Sequence, residues 1–169
     1  QLDRDTWRAM ERLYDEGVLR AVGVSNFLPH HLLNLFASAN IRPMVNEIEF
    51  HPGYTQPYVT EFCRKNGIVL EGWSPIGRGR LLCLPLLREM GARYGKSPAQ
   101  LCIRFALQSG VLPLPKSSSR ARMLENLDVF NFTLSEEDFS RLATLPQAGW
   151  SGKHPDFERW APELEAENR

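Results

Sequence analysis

Four short β-rich runs, each followed by a helical pattern, limit what this chain can become. They cover residues 19–25, 44–50, 68–73 and 111–114, and the first three begin about 24 residues apart. Strands separated by helices pair in parallel, since a tight turn cannot bring the chain back in the same direction. The pattern predicts an α/β fold, with βα units packed around a barrel or along an open sheet. No low-complexity segment or domain linker interrupts it before the tail.

The stretches between the strands carry helical spacing. Trp7, Met10, Leu13 and Tyr14 recur over residues 5–16 ahead of Gly17, with Thr6 as the expected N-cap. Pro29 opens a second helix, whose expected apolar face is Leu32, Leu33, Leu35 and Phe36. Further helices are expected over residues 57–66, 84–94, 98–108 and 119–127. Ser135-Glu-Glu-Asp138 is a capping pattern for a last helix reaching Ala143. Residues 74–79 read as a loop, and residues 145–169 as a C-terminal loop and charged tail.

Composition narrows the function classes. The 169 residues carry 20 basic and 20 acidic side chains, so no global charge draws the chain to nucleic acid or to a membrane surface. A hydrophobic content of 43% suffices for one core of domain size. Cys63, Cys83 and Cys102 lie far apart without metal-ligand spacing, as expected of reduced thiols in a cytoplasmic protein. No apolar run approaches the roughly 18 residues that a membrane helix needs. The chain opens Gln1-Leu-Asp-Arg-Asp-Thr6 without an initial Met, so a processed or truncated chain is expected.

In parallel α/β proteins ligands meet the carboxyl ends of the strands. Those ends are Ser25-Asn26; Glu49 and His51; Trp73-Ser-Pro-Ile-Gly77; and Lys116-Ser-Ser-Ser119. All four carry polar or aromatic groups. Each has a plainer reading alone: a turn for Ser25-Asn26, a core aromatic for Trp73, a surface turn for His51-Pro52. The last end is the most pointed. Serines at a helix mouth expose N–H groups and the positive end of the helix dipole, and Lys116 and Arg122 add charge suited to phosphate. A solvated N-cap with incidental basic residues is the alternative. Gly-x-Gly-x-x-Gly after a strand, a Walker motif and a Gly-x-Ser-x-Gly elbow are all absent. His30, His31, His51 and His154 show no zinc-ligand spacing, no metal ligand is assigned, and His30-His31 is expected to be exposed.

Together these residues resemble a known family. Gly23-Val-Ser-Asn-Phe27, Val45-Asn-Glu-Ile-Glu49 with His51-Pro52, Gly72-Trp-Ser-Pro-Ile-Gly77, and Pro115-Lys-Ser with Arg122 and Glu125-Asn126 match the aldo-keto reductases in order and spacing over about residues 5–150. Trp at position 73 resembles the bacterial diketogluconate-reductase-like branch. The resemblance implies a TIM (β/α)8 barrel and NADPH bound without a Rossmann fold. It implies that Ser25 and Asn26 bond the nicotinamide carboxamide and that Trp73 stacks on the ring. Ser74, Pro75, Ile76 and Gly77 would border the pyrophosphate. Lys116, Ser117, Ser118 and Arg122 would hold the 2′-phosphate, and Glu125 and Asn126 the adenine.

Two departures stand out. Glu47 occupies the position where the family usually has a Gln that touches the carboxamide. A carboxylate accepts from that amide but cannot donate to it. A complete barrel also needs about 250 residues. By the resemblance, residues 1–169 supply the last four βα units of a single barrel domain. The family's catalytic Asp, Tyr, Lys and His belong to the first four strands, so no catalytic residue is assigned. The parent would be a monomeric enzyme reducing a small carbonyl substrate, an aldehyde or ketone, to an alcohol. The alternative is a non-enzymatic half-barrel that binds nucleotide or self-associates through its open edges. Trp150, Phe157 and Trp160 are expected either to touch substrate or to pack the tail.

Overall fold

The computed structural model describes residues 2–157. Their order is α1 (Leu2–Asp15), β1 (Gly23–Ser25), α2 (Pro29–Phe36), β2 (Val45–Glu49), α3 (Pro57–Lys65), β3 (Val69–Trp73), a 3₁₀ segment (Gly77–Cys83), α4 (Pro85–Tyr94), α5 (Pro98–Gln108), β4 (Leu112–Leu114), α6 (Arg120–Leu127) and α7 (Glu136–Ala143). The strands pair β1-β2-β3-β4, all parallel. Every carboxyl end therefore falls along one edge of the sheet. Ser25 pairs with Glu47, Glu49 with Trp73, and Trp73 with Leu114.

Helices cover one face. Ile48 of β2 and Leu70 of β3 turn toward them and join Leu32, Met90, Leu101 and Phe105 in the main core, all at 2% exposure or less. Burying a side chain of this size contributes about 1.5–3 kcal/mol. A smaller cluster of Trp7, Val22 and Leu35 fastens α1. There the Glu11 carboxylate accepts from the Asn40 and Ile41 N–H groups at 2.7 and 2.8 Å. Cys63 and Cys102 are buried, and burial pushes the Cys102 thiol up to about 12, which makes it inert.

The opposite face is open. Val69, Leu112 and Leu114 are 48, 51 and 43% exposed. The register neighbours Glu47 and Glu71 are half-buried on the same side. Parallel sheets are ordinarily covered on both faces. Among the described residues this one is covered on one.

Several local expectations shift. α1 begins at Leu2, so Thr6 lies inside the helix; Asp3 and Asp5 in the first turn favour the earlier start. β1 keeps only Gly23–Ser25 of its expected run. Leu33 points outward at 56% exposure, because Leu32 and Leu35 take the inner face of a two-turn helix. The loop expected over residues 74–79 gives way at Gly77 to 3₁₀ turns. His51 is wholly buried, which removes the surface-turn reading.

The Ser135 cap is present, its hydroxyl accepting from Asp138 N at 3.2 Å. The Asp138 side chain then ties α7 to α4, accepting from Tyr94 Oη at 2.7 Å and from Arg93 at 2.6 Å. Burial alone would raise the Asp138 carboxyl, but these donors and Ser135 together hold it below its ordinary 3.8. A carboxyl with a depressed folded value contributes stability above its unfolded value and loses it as pH falls toward the folded one. Asp138→Asn is expected to lower the urea midpoint at neutral pH and to flatten its decline below about pH 4. An acid limb identical to that of the parent chain would contradict this reading.

Candidate functional site

The strand ends meet as one hydrogen-bonded row. The Glu47 carbonyl, in the middle of β2, accepts from Asn26 N at 2.8 Å and from Ser25 Oγ at 3.2 Å. Asn26 Nδ2 donates to Ser25 Oγ at 3.1 Å. Asn26 Oδ1 accepts from the Trp73 indole N–H at 2.8 Å, which joins β1 to β3 across β2 and sets the angle of the indole. Asn46 supports the row from below. It is fully buried, donates from Nδ2 to Phe27 O at 2.8 Å and accepts from Phe27 N at 3.3 Å.

Backbone strain concentrates in the same place. Four non-glycine residues adopt positive φ among the described residues: Asn26 (59°), Gln56 (46°), Ser74 (51°) and Arg78 (53°). Each costs about 1–3 kcal/mol and persists where its surroundings hold it. Asn26 and Ser74 are the first residues beyond β1 and β3. Arg78 follows Gly77, and its guanidinium lies 5.8 Å above the Trp73 ring. Gly77 itself has φ 55°, and a Cβ there would stand 2.8 Å from Leu81 Cγ.

At the other end of the row a cleft of about 380 Å³ is lined by Ile76, Lys116, Ser117, Ser118, Arg122, Glu125 and Asn126 among others. Seven of the residues singled out from sequence therefore share one cavity. Among the described residues, Lys116 and Arg122 pair with no carboxylate. Ser119, at the α6 N-cap position, makes no side-chain bond to the first turn, so the N–H groups there have no capping acceptor among the described residues. The α6 backbone is braced from behind by Gln100, whose Nε2 donates to Glu125 O at 3.1 Å and Asp128 O at 2.8 Å. A second cleft, about 410 Å³, takes in Ser25, Asn26, Phe27, His31 and Asp156. It holds Ser25 and Asn26, and the Lys116 cleft holds Ile76; Glu47 in mid-β2, Trp73 at the end of β3, and Ser74, Pro75 and Gly77 beyond it line neither cleft.

The tail is fastened onto these ends by Glu49, at 1% exposure. Its Oε1 accepts from Ser151 N at 2.9 Å and its Oε2 from Ser151 Oγ at 2.7 Å. His51 Nε2 lies 3.3 Å from Oε1, and Nδ1 donates to Pro52 O at 2.9 Å. Trp150 stacks on Tyr54 at 5.8 Å, and its carbonyl accepts from Arg80 at 2.5 Å. Of the two roles open to Trp150, packing is therefore the one its contacts support. Phe157 is 77% exposed beside His154 and lines neither cleft. Trp160 lies outside the described residues.

Sequence reasoning missed Asn46, Arg78, Arg80 and Ser151. Asn46 sits in a strand run and reads as part of it, and the other three act through contacts that no local pattern announces. It also assigned no metal ligand, whereas His30, His31 and Asp156 come within 4.8 Å of one another.

The comparisons with known proteins converge on one family. The aldo/keto reductase family pattern matches residues 2–146. The glyoxal reductase of Bacillus subtilis (strain 168) is 46% identical over 153 residues, covering 90% of this chain and 55% of that protein. The 9,11-endoperoxide prostaglandin H2 reductase of Trypanosoma cruzi (strain CL Brener) is 44% identical over 155 residues, again 90% and 55%. The chain thus spans about half the length of the curated relatives it matches. Among solved structures, apo Gox0644 superposes with a TM-score of 0.86 at 36% identity, covering 90% of this chain and 56% of the other. A Bombyx mori aldo-keto reductase in complex with NADP superposes at 0.78 and 31% identity, covering 84% and 50%. No helix among the described residues is long and apolar enough to cross a membrane. A family pattern over residues 2–146, with relatives 44 and 46% identical over 90% of the chain, places it in the aldo/keto reductase family.

Proposed function

We propose that this chain supplies the cofactor-binding half of an NADPH-dependent reductase of aldehydes and ketones, as the last four βα units of a (β/α)8 barrel. The observation that carries the proposal is the set of neighbouring strand ends that runs from Ser25-Asn26 through Trp73 to Lys116 and Arg122, which pair with no carboxylate among the described residues. Its chemistry suits NADPH at both ends. Lys116, Arg122 and the α6 first turn form a cationic pocket for a phosphate dianion. Asn26 Nδ2 keeps a second proton for a carboxamide oxygen, and the indole of Trp73 is braced as a stacking surface. Arg78 stands between these ends, within reach of a pyrophosphate.

When bound, NADPH supplies a hydride. The residues described here bind and orient; none donates a proton to a carbonyl. Tyr14 and Tyr94 sit on helices, Tyr58 is 76% exposed on α3, and Tyr54 is engaged with Trp150. We place the acid, with its partner Asp, Lys and His, on the strands that would cover the open face. The carbonyl substrate would enter by the 410 Å³ cleft beside Asn26.

The open flank favours a second reading, a nucleotide-binding half-barrel that assembles with other chains. Leu124 and Leu127 of α6 and Phe130 just after it are 59, 66 and 72% exposed, apolar surface of the kind that a partner covers. Solution mass separates the two readings.

Fluorescence titration of the chain with NADPH tests the proposal. Lys116→Ala is expected to weaken NADPH about 10–100-fold, the loss of one charge-assisted phosphate contact, and to leave NADH nearly unchanged. Equal losses for both nucleotides, or no NADPH binding at all, would overturn it. Glu47 adds a second test. An ionised carboxylate beside the nicotinamide favours the cationic oxidised form, so Glu47→Gln should shift the NADP⁺-to-NADPH preference toward NADPH by about tenfold. Two dissociation constants whose ratio stays fixed would remove Glu47 from the account.

A further inference from the structure

Away from the Lys116 cleft, three donors far apart in sequence converge. His30 and His31 open α2, and Asp156 lies in the tail. The Nε2 atoms of both imidazoles stand 3.1 Å from Asp156 Oδ1, and the ring centroids are 4.0 Å apart. The three ligand-capable atoms all lie within 4.8 Å of one another. Neighbouring donors on one ion at bond lengths of about 2.0–2.2 Å are separated by about 2.8–3.6 Å across octahedral and tetrahedral shells. The two Nε2–Oδ1 separations fall in that interval, and the two Nε2 atoms, within 4.8 Å of each other, would close on the ion. A further imidazole lies close by, His154 Nδ1 standing 4.0 Å from Asp156 Oδ2.

Two imidazoles and one carboxylate, with positions left for water, suit zinc, cobalt(II), nickel(II) or iron(II) rather than calcium or magnesium. Without an ion the same atoms form hydrogen bonds. Leu28 N donates to His31 Nδ1 at 3.1 Å, so the His31 proton rests on Nε2 and points at Asp156. Metal binding moves that proton to Nδ1. The Nε2 lone pair then takes the ion, and Nδ1, now a donor, can no longer accept from Leu28 N, so the ring tilts off that amide and the capping bond is given up. His30 ligates from Nε2 with its proton on Nδ1. If His30 starts as imidazolium, one proton leaves for solvent.

The location gives such an ion a consequence. His31 and Asp156 line the 410 Å³ cleft together with Ser25, Asn26 and Phe27. Glu49 anchors the tail at Ser151, five residues before Asp156. An ion on His30, His31 and Asp156 would fix the tail a second time, to the first turn of α2 and across the rim of the cleft. We propose that His30, His31 and Asp156 form a binding site for a zinc-class dication that staples the tail over the entrance beside Asn26. The staple's effect on carbonyl entry rests on the function proposed above; the binding of the ion does not.

The test uses metal-stripped chain carrying Cys83→Ser, which removes the exposed thiol as a competing ligand. Titration with Co²⁺, followed by visible absorption and by calorimetry, should give one equivalent bound with nitrogen–oxygen ligand-field bands. His30→Ala and Asp156→Asn should each weaken Co²⁺ and Zn²⁺ by about tenfold or more, with the circular dichroism of the apo chain unchanged. Saturating Zn²⁺ should slow proteolytic cleavage after Lys153, and that protection should vanish in Asp156→Asn. No binding at about 100 μM metal, or affinities unchanged in both variants, would overturn the site. Binding without protection of the tail would overturn the staple. A failed NADPH titration would leave all of these readings intact, so the two proposals fail separately.

Discussion

A single buried carboxylate holds the top of the sheet together. Glu49 ends β2, pairs in register with Trp73 of β3, and receives both the amide and the hydroxyl of Ser151 from the tail. Its own carbonyl accepts from Gln56 Nε2 at 2.6 Å, which holds Gln56 in its left-handed backbone at the mouth of α3. Three segments of chain thus depend on one residue at 1% exposure. A buried carboxylate is tolerated only when its oxygens are fully engaged, and here they are. Without it the tail would lose its anchor and the strand ends their lateral frame.

That frame explains why strain collects where it does. Asn26 and Ser74 adopt unfavourable backbone at the exits of β1 and β3, and each is held by a bond to a neighbouring strand end or turn. Asn26 is pinned by the Glu47 carbonyl and the Trp73 indole, and Ser74 O accepts from Gly77 N at 2.8 Å. The helical face of the sheet supplies stability, while the exits carry the distortion and cations that pair with no carboxylate among the described residues. The open face, with Glu47 and Glu71 side by side, is the exception to an otherwise self-contained core.

Much of this was legible in the residues. The alternation of runs announced a parallel sheet, and Lys116, Ser117, Arg122, Glu125 and Asn126 lie close enough in sequence for a strand and one helix to gather them. Ser25-Asn26 and Trp73 were readable because parallel pairing brings carboxyl ends to one edge. The contacts between Glu49 and Ser151, 102 residues apart, and between His30 and Asp156, 126 residues apart, were not. They are set by how the tail returns over the sheet, which no local period encodes. The 3₁₀ turns after Gly77 were missed for a related reason. They form because Leu81 packs against Gly77 and Gly149, a tertiary contact. Thr6 misled because an N-cap residue type reads the same inside a helix as at its start.

The proposed nucleotide site runs along one row of strand ends, and hydrogen exchange with and without saturating NADPH reads that row segment by segment. Protection should rise together in residues 25–27, 73–79 and 116–126 and stay unchanged in α3 and α7. Protection confined to one of those segments, or spread evenly over the chain, would contradict it.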